Sequence, residues 1–232
     1  MQSRKTSMRR GALITPVFEI STLSKRYNGQ TVLDIQRLVL LPQNIYCFYG
    51  PNGAGKTTLF EILVGLNTPT TGRLLFHGQE IFPGNQGRAA LRQQVTLVQQ
   101  DPLLFNTSVE RNVDYGLRIR KHDKAFREAR VEECLELVGL KGFQKRKARH
   151  LSGGETQRAA IARALSIHPT VLFLDEFSAS VDEKHRSRLE GIIQKIRERL
   201  GTTVIFTTHY REQADRVADE LIHLVHGRIQ SP

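Results

Sequence analysis

Residues 45–58 read Ile45-Tyr46-Cys47-Phe48-Tyr49-Gly50-Pro51-Asn52-Gly53-Ala54-Gly55-Lys56-Thr57-Thr58. The first five are nearly all apolar and β-prone, the pattern of a strand buried on both faces. From Gly50 the chain fits G-x-x-x-x-G-K-[ST], and a helix is expected from Lys56 to Val64, ending near Gly65. Glycines let backbone N–H groups converge on phosphate oxygens without Cβ interference, and the helix that follows adds its N-terminal dipole. Gly50, Pro51, Asn52, Gly53, Ala54, Gly55, Lys56, Thr57 and Thr58 are therefore expected to cradle phosphates. Lys56 would neutralise the β/γ-phosphates and the Thr57 hydroxyl would ligate Mg²⁺.

Working outward, Val171-Leu172-Phe173-Leu174-Asp175-Glu176 is a second buried-strand run, and it ends in two carboxylates. A parallel strand delivers its C-terminal residues to the crevice where ligands bind. Asp175 would hold Mg²⁺ and Glu176 would polarise an attacking water. Strands are also expected at Val17–Ser21, Thr31–Leu41, Leu74–Phe76, Val95–Val98 and Thr203–Thr208, with a turn at Asn28-Gly29. Leu221 to Ile229 reads as a hairpin turning at His226-Gly227. Val131, Leu135 and Val138 lie on one helical face, closed by Gly139. Asp182 would cap a helix striped by Leu189, Ile192, Ile193, Ile196 and Leu200 and stopped by Gly201. Strands alternating with helices imply an α/β fold with a mostly parallel sheet. An N-terminal antiparallel β edge and a helical insertion over about 101–167 would complete it.

The chain has 232 residues, with 34 Lys+Arg against 23 Asp+Glu and a net charge of +11. Its 39% apolar content plus 18 glycines approaches the ~45–50% of globular domains, which argues against disorder. The uncharged stretch 38–54 is interrupted by Pro42, Gln43, Asn44, Pro51 and Asn52, so no membrane span is expected. Residues 1–16 are expected to be a basic, solvated tail, because the segment after MQSRKTSMRR is too polar for a signal peptide. Residues 17–230 would form a single domain. Cys47 and Cys134, far apart and without a CxxC, read as buried free thiols suited to a reducing compartment. The +11 charge by itself admits nucleic acid, an anionic membrane face or acidic nucleotides as partners.

Leu151-Ser152-Gly153-Gly154-Glu155-Thr156-Gln157-Arg158 narrows the class. Physically it is a second anion site: Ser152, Gly153 and Gly154 open a helix with free N–H groups, and Ser152 with Glu155 makes a capping box. The segment closely resembles the signature of ATP-binding cassette (ABC) ATPases. The resemblance spans roughly Val17 to Ile229 and implies a P-loop NTPase core of ABC type. It implies further that Tyr27 stacks on adenine and that Gln100 is the Q-loop residue sensing Mg²⁺ and the γ-phosphate, with Gln99 as the alternative register. Ser180-Val181-Asp182 resembles the D-loop and His209 the switch histidine. Three departures stand out: Glu155 replaces the usual Gln, Phe177 the usual Pro after the Glu, and Ala179-Ser180-Val181-Asp182 the commoner Ser-Ala-Leu-Asp.

The resemblance implies ATP and Mg²⁺ as cofactors, with Thr57, Gln100 and Asp175 around the metal. Catalysis would fall to Glu176, His209 and Gln100. A second copy would supply Ser152, Gly153 and Gly154 in trans, forming an ATP-sandwich homodimer. The chain would power a separate transmembrane permease from the cytoplasmic face of the inner or plasma membrane, as an importer, with an extracytoplasmic binding protein as a further partner. Segments 95–105 and 112–117 resemble tungstate- and molybdate-type oxyanion importers. The alternatives are an ABC ATPase acting on DNA or ribosomes, or one energising an exporter. No long heptad run separates Lys56 from Ser152, so nucleic acid is not an expected partner. Permease docking is expected near Gln100 to Val109. The basic cluster Lys141, Lys145, Arg146, Lys147 and Arg149 reads as a solvated loop, with contact to acidic lipid heads or permease loops as the alternative.

Overall fold

The computed structural model describes residues 14–82, 84, 86–179 and 183–230. Of the expected N-terminal tail, only residues 14–16 are described, and the expected D-loop, with Asp182 as a helix cap, lies outside the described residues. Ten strands are described: β1 (Phe18–Tyr27), β2 (Gln30–Leu40), β3 (Ile45–Tyr49), β4 (Thr71–Phe76), β5 (Gln79–Glu80), β6 (Val95–Val98), β7 (Val171–Leu174), β8 (Thr203–Thr208), β9 (Glu220–Val225) and β10 (Arg228–Gln230). The helices are α1 (Lys56–Leu63), α2 (Gln86–Gln94), α3 (Val109–Ile119), α4 (Lys124–Leu137), α5 (Gly153–Ser166), α6 (Glu183–Leu200) and α7 (Arg211–Val217).

The six-stranded sheet has the order β10-β9-β3-β8-β7-β6 and is parallel except for the β9–β10 hairpin. The antiparallel strands form a separate sheet, β2-β1-β4-β5, which also takes in the strand expected around Leu74. It is a layer of its own because the two sheets share one core. In β3, Tyr46 and Phe48 point to the side holding α1 and the antiparallel sheet, while Ile45 and Cys47 point to the helical side. Strand β7 divides the same way, Val171 and Phe173 against Leu172 and Leu174. Period-2 alternation with both faces apolar is what a central layer requires.

The helical insertion stands between β6 and β7 as α3, α4 and α5. Val131, Leu135 and Val138 are buried in it, and Gly139 takes a φ of 69° after α4. Ser108 caps α3 by accepting from Arg111 N, and Asp123 caps α4 by accepting from Phe126 N at 2.9 Å. Leu189, Ile192, Ile193 and Ile196 of α6 are buried, with Leu200 packed beside them. Strand register then sets the site. Tyr49 lies opposite Thr208, Leu174 opposite Phe206, and Val98 opposite Leu174. Gly50, Asp175, His209 and the turn carrying Gln100 therefore leave the sheet at one edge.

Candidate active site

The phosphate loop begins where β3 ends beside β9. A Cβ at Gly50 would collide with the carbonyl oxygen of Leu224, so only glycine fits this approach. Gly55 is the N-cap of α1 with a φ of 98°, and a Cβ there would meet Leu33 Cδ2 at 2.8 Å. The hairpin at His226-Gly227 props the loop from below, the Gly227 N–H donating to Ala54 O at 3.0 Å. No side chain caps α1 and its first turn holds no acid, which leaves its N-terminus open to an anion.

Two chains of contacts cross the sheet edge from this loop. In the first, Lys56, only 5% exposed, donates to Gly50 O at 2.8 Å and Pro51 O at 3.1 Å. Its ammonium also lies 3.6 Å from Glu176 Oε1, and Glu176 Oε2 lies 3.3 Å from His209 Nδ1. In the second, Thr57 Oγ1 donates to Asp175 Oδ2 at 3.0 Å. Thr207 Oγ1 donates to Asp175 Oδ1 at 2.6 Å and accepts from the Glu176 N–H at 2.9 Å. Thr207 is fully buried and was not among the expected site residues. The available signal was a hydroxyl pair, Thr207-Thr208, closing an otherwise apolar strand beside the histidine. Glu176 sits at a φ of 42°, strained for a side-chain-bearing residue, as at many functional sites.

Gln100 is exposed, two residues beyond Val98, whose carbonyl accepts from the Asp175 N–H at 2.9 Å. Tyr27 ends β1 and is 42% exposed; its hydroxyl accepts from Asn67 Nδ2 at 2.6 Å and the Lys25 ammonium lies 4.8 Å from its ring centre. Ser152 caps α5, accepting from the Glu155 N–H, while Glu155 Oε2 accepts from Ser152 N at 2.8 Å. Ser152 and Gly153 are exposed, and Gly154 packs beside His185 of α6. The structure thus joins Lys56, Thr57, Asp175, Glu176 and His209, brings Gln100 to the same edge, and leaves the signature turn apart from them, held by Arg146 on Glu155 and by Arg158 on the Gly139 carbonyl. Phe177, the departure after Glu176, is 2% exposed and packs edge-on to Phe206 at 5.6 Å.

Among the described residues no group of three or more His, Cys, Asp or Glu side chains could hold a metal. One hydroxyl and one carboxylate, Thr57 and Asp175, converge instead. That hard-oxygen pair suits Mg²⁺, which keeps several waters and takes its remaining oxygens from phosphates. Among the described residues no helix is long and apolar enough to cross a membrane.

A family model described as ABC transporter matches residues 33–179. The spermidine/putrescine import ATP-binding protein PotA of Clostridioides difficile (strain 630) is 38% identical over 94% of this chain and 62% of its own length. The sulfate/thiosulfate import ATP-binding protein CysA of Synechococcus elongatus (strain ATCC 33912 / PCC 7942 / FACHB-805) is 36% identical over 91% of this chain and 61% of its own. The tungstate uptake system ATP-binding protein TupC of Peptoclostridium acidaminophilum is 36% identical over 90% of this chain and 95% of its own. The chain therefore spans about three fifths of the length of the PotA and CysA relatives. Among solved structures, cbiO1 from Clostridium perfringens, part of the ABC transporter complex cbiONQ, superposes with a TM-score of 0.89 at 29% identity, covering 94% of this chain and 88% of that one. With a phosphate loop, an acidic strand end and a signature helix set on this sheet, and with the family model matching more than half of its length, the chain belongs to the ABC transporter family.

Proposed function

We propose that the chain is the ATP-hydrolysing subunit of an importer, working as two copies against a separate membrane permease. The observation that carries this reading is the unbroken path from Lys56 through Glu176 to His209 at the mouth of the phosphate loop. Lys56 moves from the Gly50 and Pro51 carbonyls onto the β/γ-phosphates, which frees Glu176 from its cation. Glu176 then accepts a proton from the attacking water, and His209 holds its carboxylate in place. Thr57 and Asp175, with Gln100, would hold Mg²⁺, which would supply positive charge against the phosphates. The chemistry is positioning plus electrostatics. Tyr27 offers its exposed ring to adenine, and the turn Ser152–Gly154, exposed at Ser152 and Gly153, offers its N–H groups to the γ-phosphate held by the partner copy.

Permease docking fits the surface around the start of α3. Leu103 is 85% exposed, and the exposed rings of Phe105 and Tyr115 lie 4.6 Å apart. An apolar patch of this kind marks an interaction surface, which would place the chain peripherally on the cytoplasmic face of the membrane. The inserted helices α3, α4 and α5 run 11, 14 and 14 residues, a compact lobe rather than the long coiled coil that action on DNA would favour. The resemblance of residues 95–105 and 112–117 and the tungstate and sulfate relatives support an oxyanion such as tungstate or molybdate as one candidate cargo. Polyamine relatives of similar identity leave the permease and its binding protein to decide cargo.

Glu176→Gln is expected to bind ATP normally, to form an ATP-dependent dimer on gel filtration, and to lose about 10²- to 10⁴-fold in turnover. Wild-type turnover in that variant would remove Glu176 from its role. Co-purification with DNA or ribosomes and with no membrane protein would end the transport reading.

A further inference from the structure

A second pair of residues joins the same two segments that meet at Glu176 and His209. Gln213, on α7, is 2% exposed, and its Nε2 donates to Ser178 Oγ at 2.7 Å and to Glu190 Oε1 at 3.4 Å. Ser178 is 3% exposed and follows Glu176 by two residues. The contacts Glu176–His209 and Ser178–Gln213 are therefore two rungs of one ladder, two residues apart on the loop and four residues apart on the other side, where His209 precedes α7 and Gln213 lies in it. Arg216, also on α7, holds Glu190 at 2.9 Å, so α6 closes the third side. At the start of α7, Arg211 donates to the Tyr49 hydroxyl at 2.7 Å, and Tyr49 stacks on His223 at 4.4 Å. The helix is thus tied to the strand that feeds the phosphate loop as well as to the loop that carries Glu176.

Two features argue that the lower rung serves the chemistry rather than the fold. Gln213 Oε1 is buried with no hydrogen-bond partner among the described residues. An unmet buried carbonyl costs stability that an apolar side chain of similar size would not cost. Glu176 also holds a left-handed backbone at φ 42°, a strained state that persists only where the surroundings over-determine it. The Glu176 N–H bond to Thr207 ties one side of that residue, and the Ser178 bond to Gln213 ties the other.

We propose that Gln213 is a positioning residue for hydrolysis, holding the Glu176 loop in register with His209 through the Ser178 hydroxyl. This rests on Glu176 and His209 being the hydrolytic residues. The test uses the full chain, with Gln213→Leu, Ser178→Ala and the double variant, scored by kcat and KM for MgATP and by Tm. Each single change is expected to lower kcat about 5- to 20-fold with KM within about twofold. The double variant should be no slower than the slower single, because both act through one bond, and it should keep its Tm because both ends of the buried pair are gone. Should Gln213→Leu fail to fold, Ser178→Ala, the smaller change, decides alone. A kcat within twofold of wild type, losses that multiply in the double variant, or a kcat that recovers with Tm in the double variant would each overturn the proposal. Glu176→Gln and His209→Ala run beside them. If those two keep wild-type turnover, the reading of the site fails and this inference with it. If they lose turnover while Gln213→Leu and Ser178→Ala keep theirs, this inference alone fails.

Discussion

The phosphate loop and the signature turn are built on opposite plans. At the phosphate loop, Lys56 and Asp175 are nearly buried, and their partners arrive from other strand ends: Thr57 reaches Asp175 and Lys56 reaches Glu176 across more than a hundred residues of sequence. At the signature turn, Ser152 and Gly153 are exposed and the bonds of Ser152 run to Glu155 and Thr156 in its own first turn. One end exists only when the sheet is assembled; the other is a helix N-terminus braced by Arg146 on Glu155 and by His185 on Gly154. Buried polar groups with distant partners make a half-site complete in itself. On the proposed reading, the exposed Ser152–Gly153 turn is half of a site that a second copy completes.

The comparison breaks most sharply at Lys56. Lys56→Ala removes a buried cation from between carbonyls and phosphate, and ATP affinity should fall on the order of 100-fold, since hydrogen bonds to charged groups carry roughly 1.5–3 kcal/mol. Titration calorimetry reads this directly, and unchanged affinity would take Lys56 out of the site. Thr207→Val comes next. It keeps the shape of the side chain but strips the bond to Asp175 and the acceptor for the Glu176 N–H, so a loss of about 1–3 kcal/mol in stability and roughly tenfold in turnover is expected. Urea unfolding and steady-state hydrolysis measure the two; no change in either would show the hydroxyl to be idle.

The smallest effect belongs to the signature side. The Ser152 N–H holds the Glu155 carboxyl below its ordinary value of 4.5, with the charges of Arg146 and Arg158 adding to the effect. A carboxyl depressed on folding stabilises the fold above its unfolded value and loses that contribution as pH falls through the folded value. Glu155→Gln should therefore cost about 0.5 kcal/mol at pH 7, the size of a surface charge at a helix N-terminus, and the gap to wild type should close below pH 4.5. A gap that persists into acid would mean the carboxylate charge is not what stabilises this turn. Nucleotide affinity of the monomer should not move at all, in contrast to Lys56→Ala.

Much of this was legible from residue order. Strands β3, β6, β7 and β8 fall on the expected residues because each is a short β-prone run, wholly buried in β7 and β8, nearly so in β3 and half-buried in β6. The poorly legible elements are those whose burial is slight. Helix α2 buries Leu91 alone, α7 is seven mostly polar residues, and β5 is an exposed pair, so none writes a period into the sequence. Within the site, the glycine loop and the acidic doublet announce themselves by composition, whereas Thr207 looks like any β-branched strand residue. The basic cluster before the signature read as a free charged surface, but Lys141 lies 3.4 Å from Glu136 and Arg146 lies 3.3 Å from Glu155 while covering the Phe143 ring. Its excess charge toward acidic lipid is correspondingly smaller than a count of residues implies.

Sequence alone determined the kinds of chemistry: a loop able to hold phosphate, a strand delivering two carboxylates, and a helix start shaped for a second anion. These are local, since glycine at a turn, acids after an apolar run and serine before a helix each act within a few bonds. Tertiary structure decided which of those groups meet. Parallel register brought the ends of β3, β7 and β8 to one edge, so that Lys56, Glu176 and His209 touch, Thr207 ties Asp175 to Glu176, and α7 is braced from two sides. Those contacts depend on packing between strands far apart in the chain, where only the shared core fixes distance.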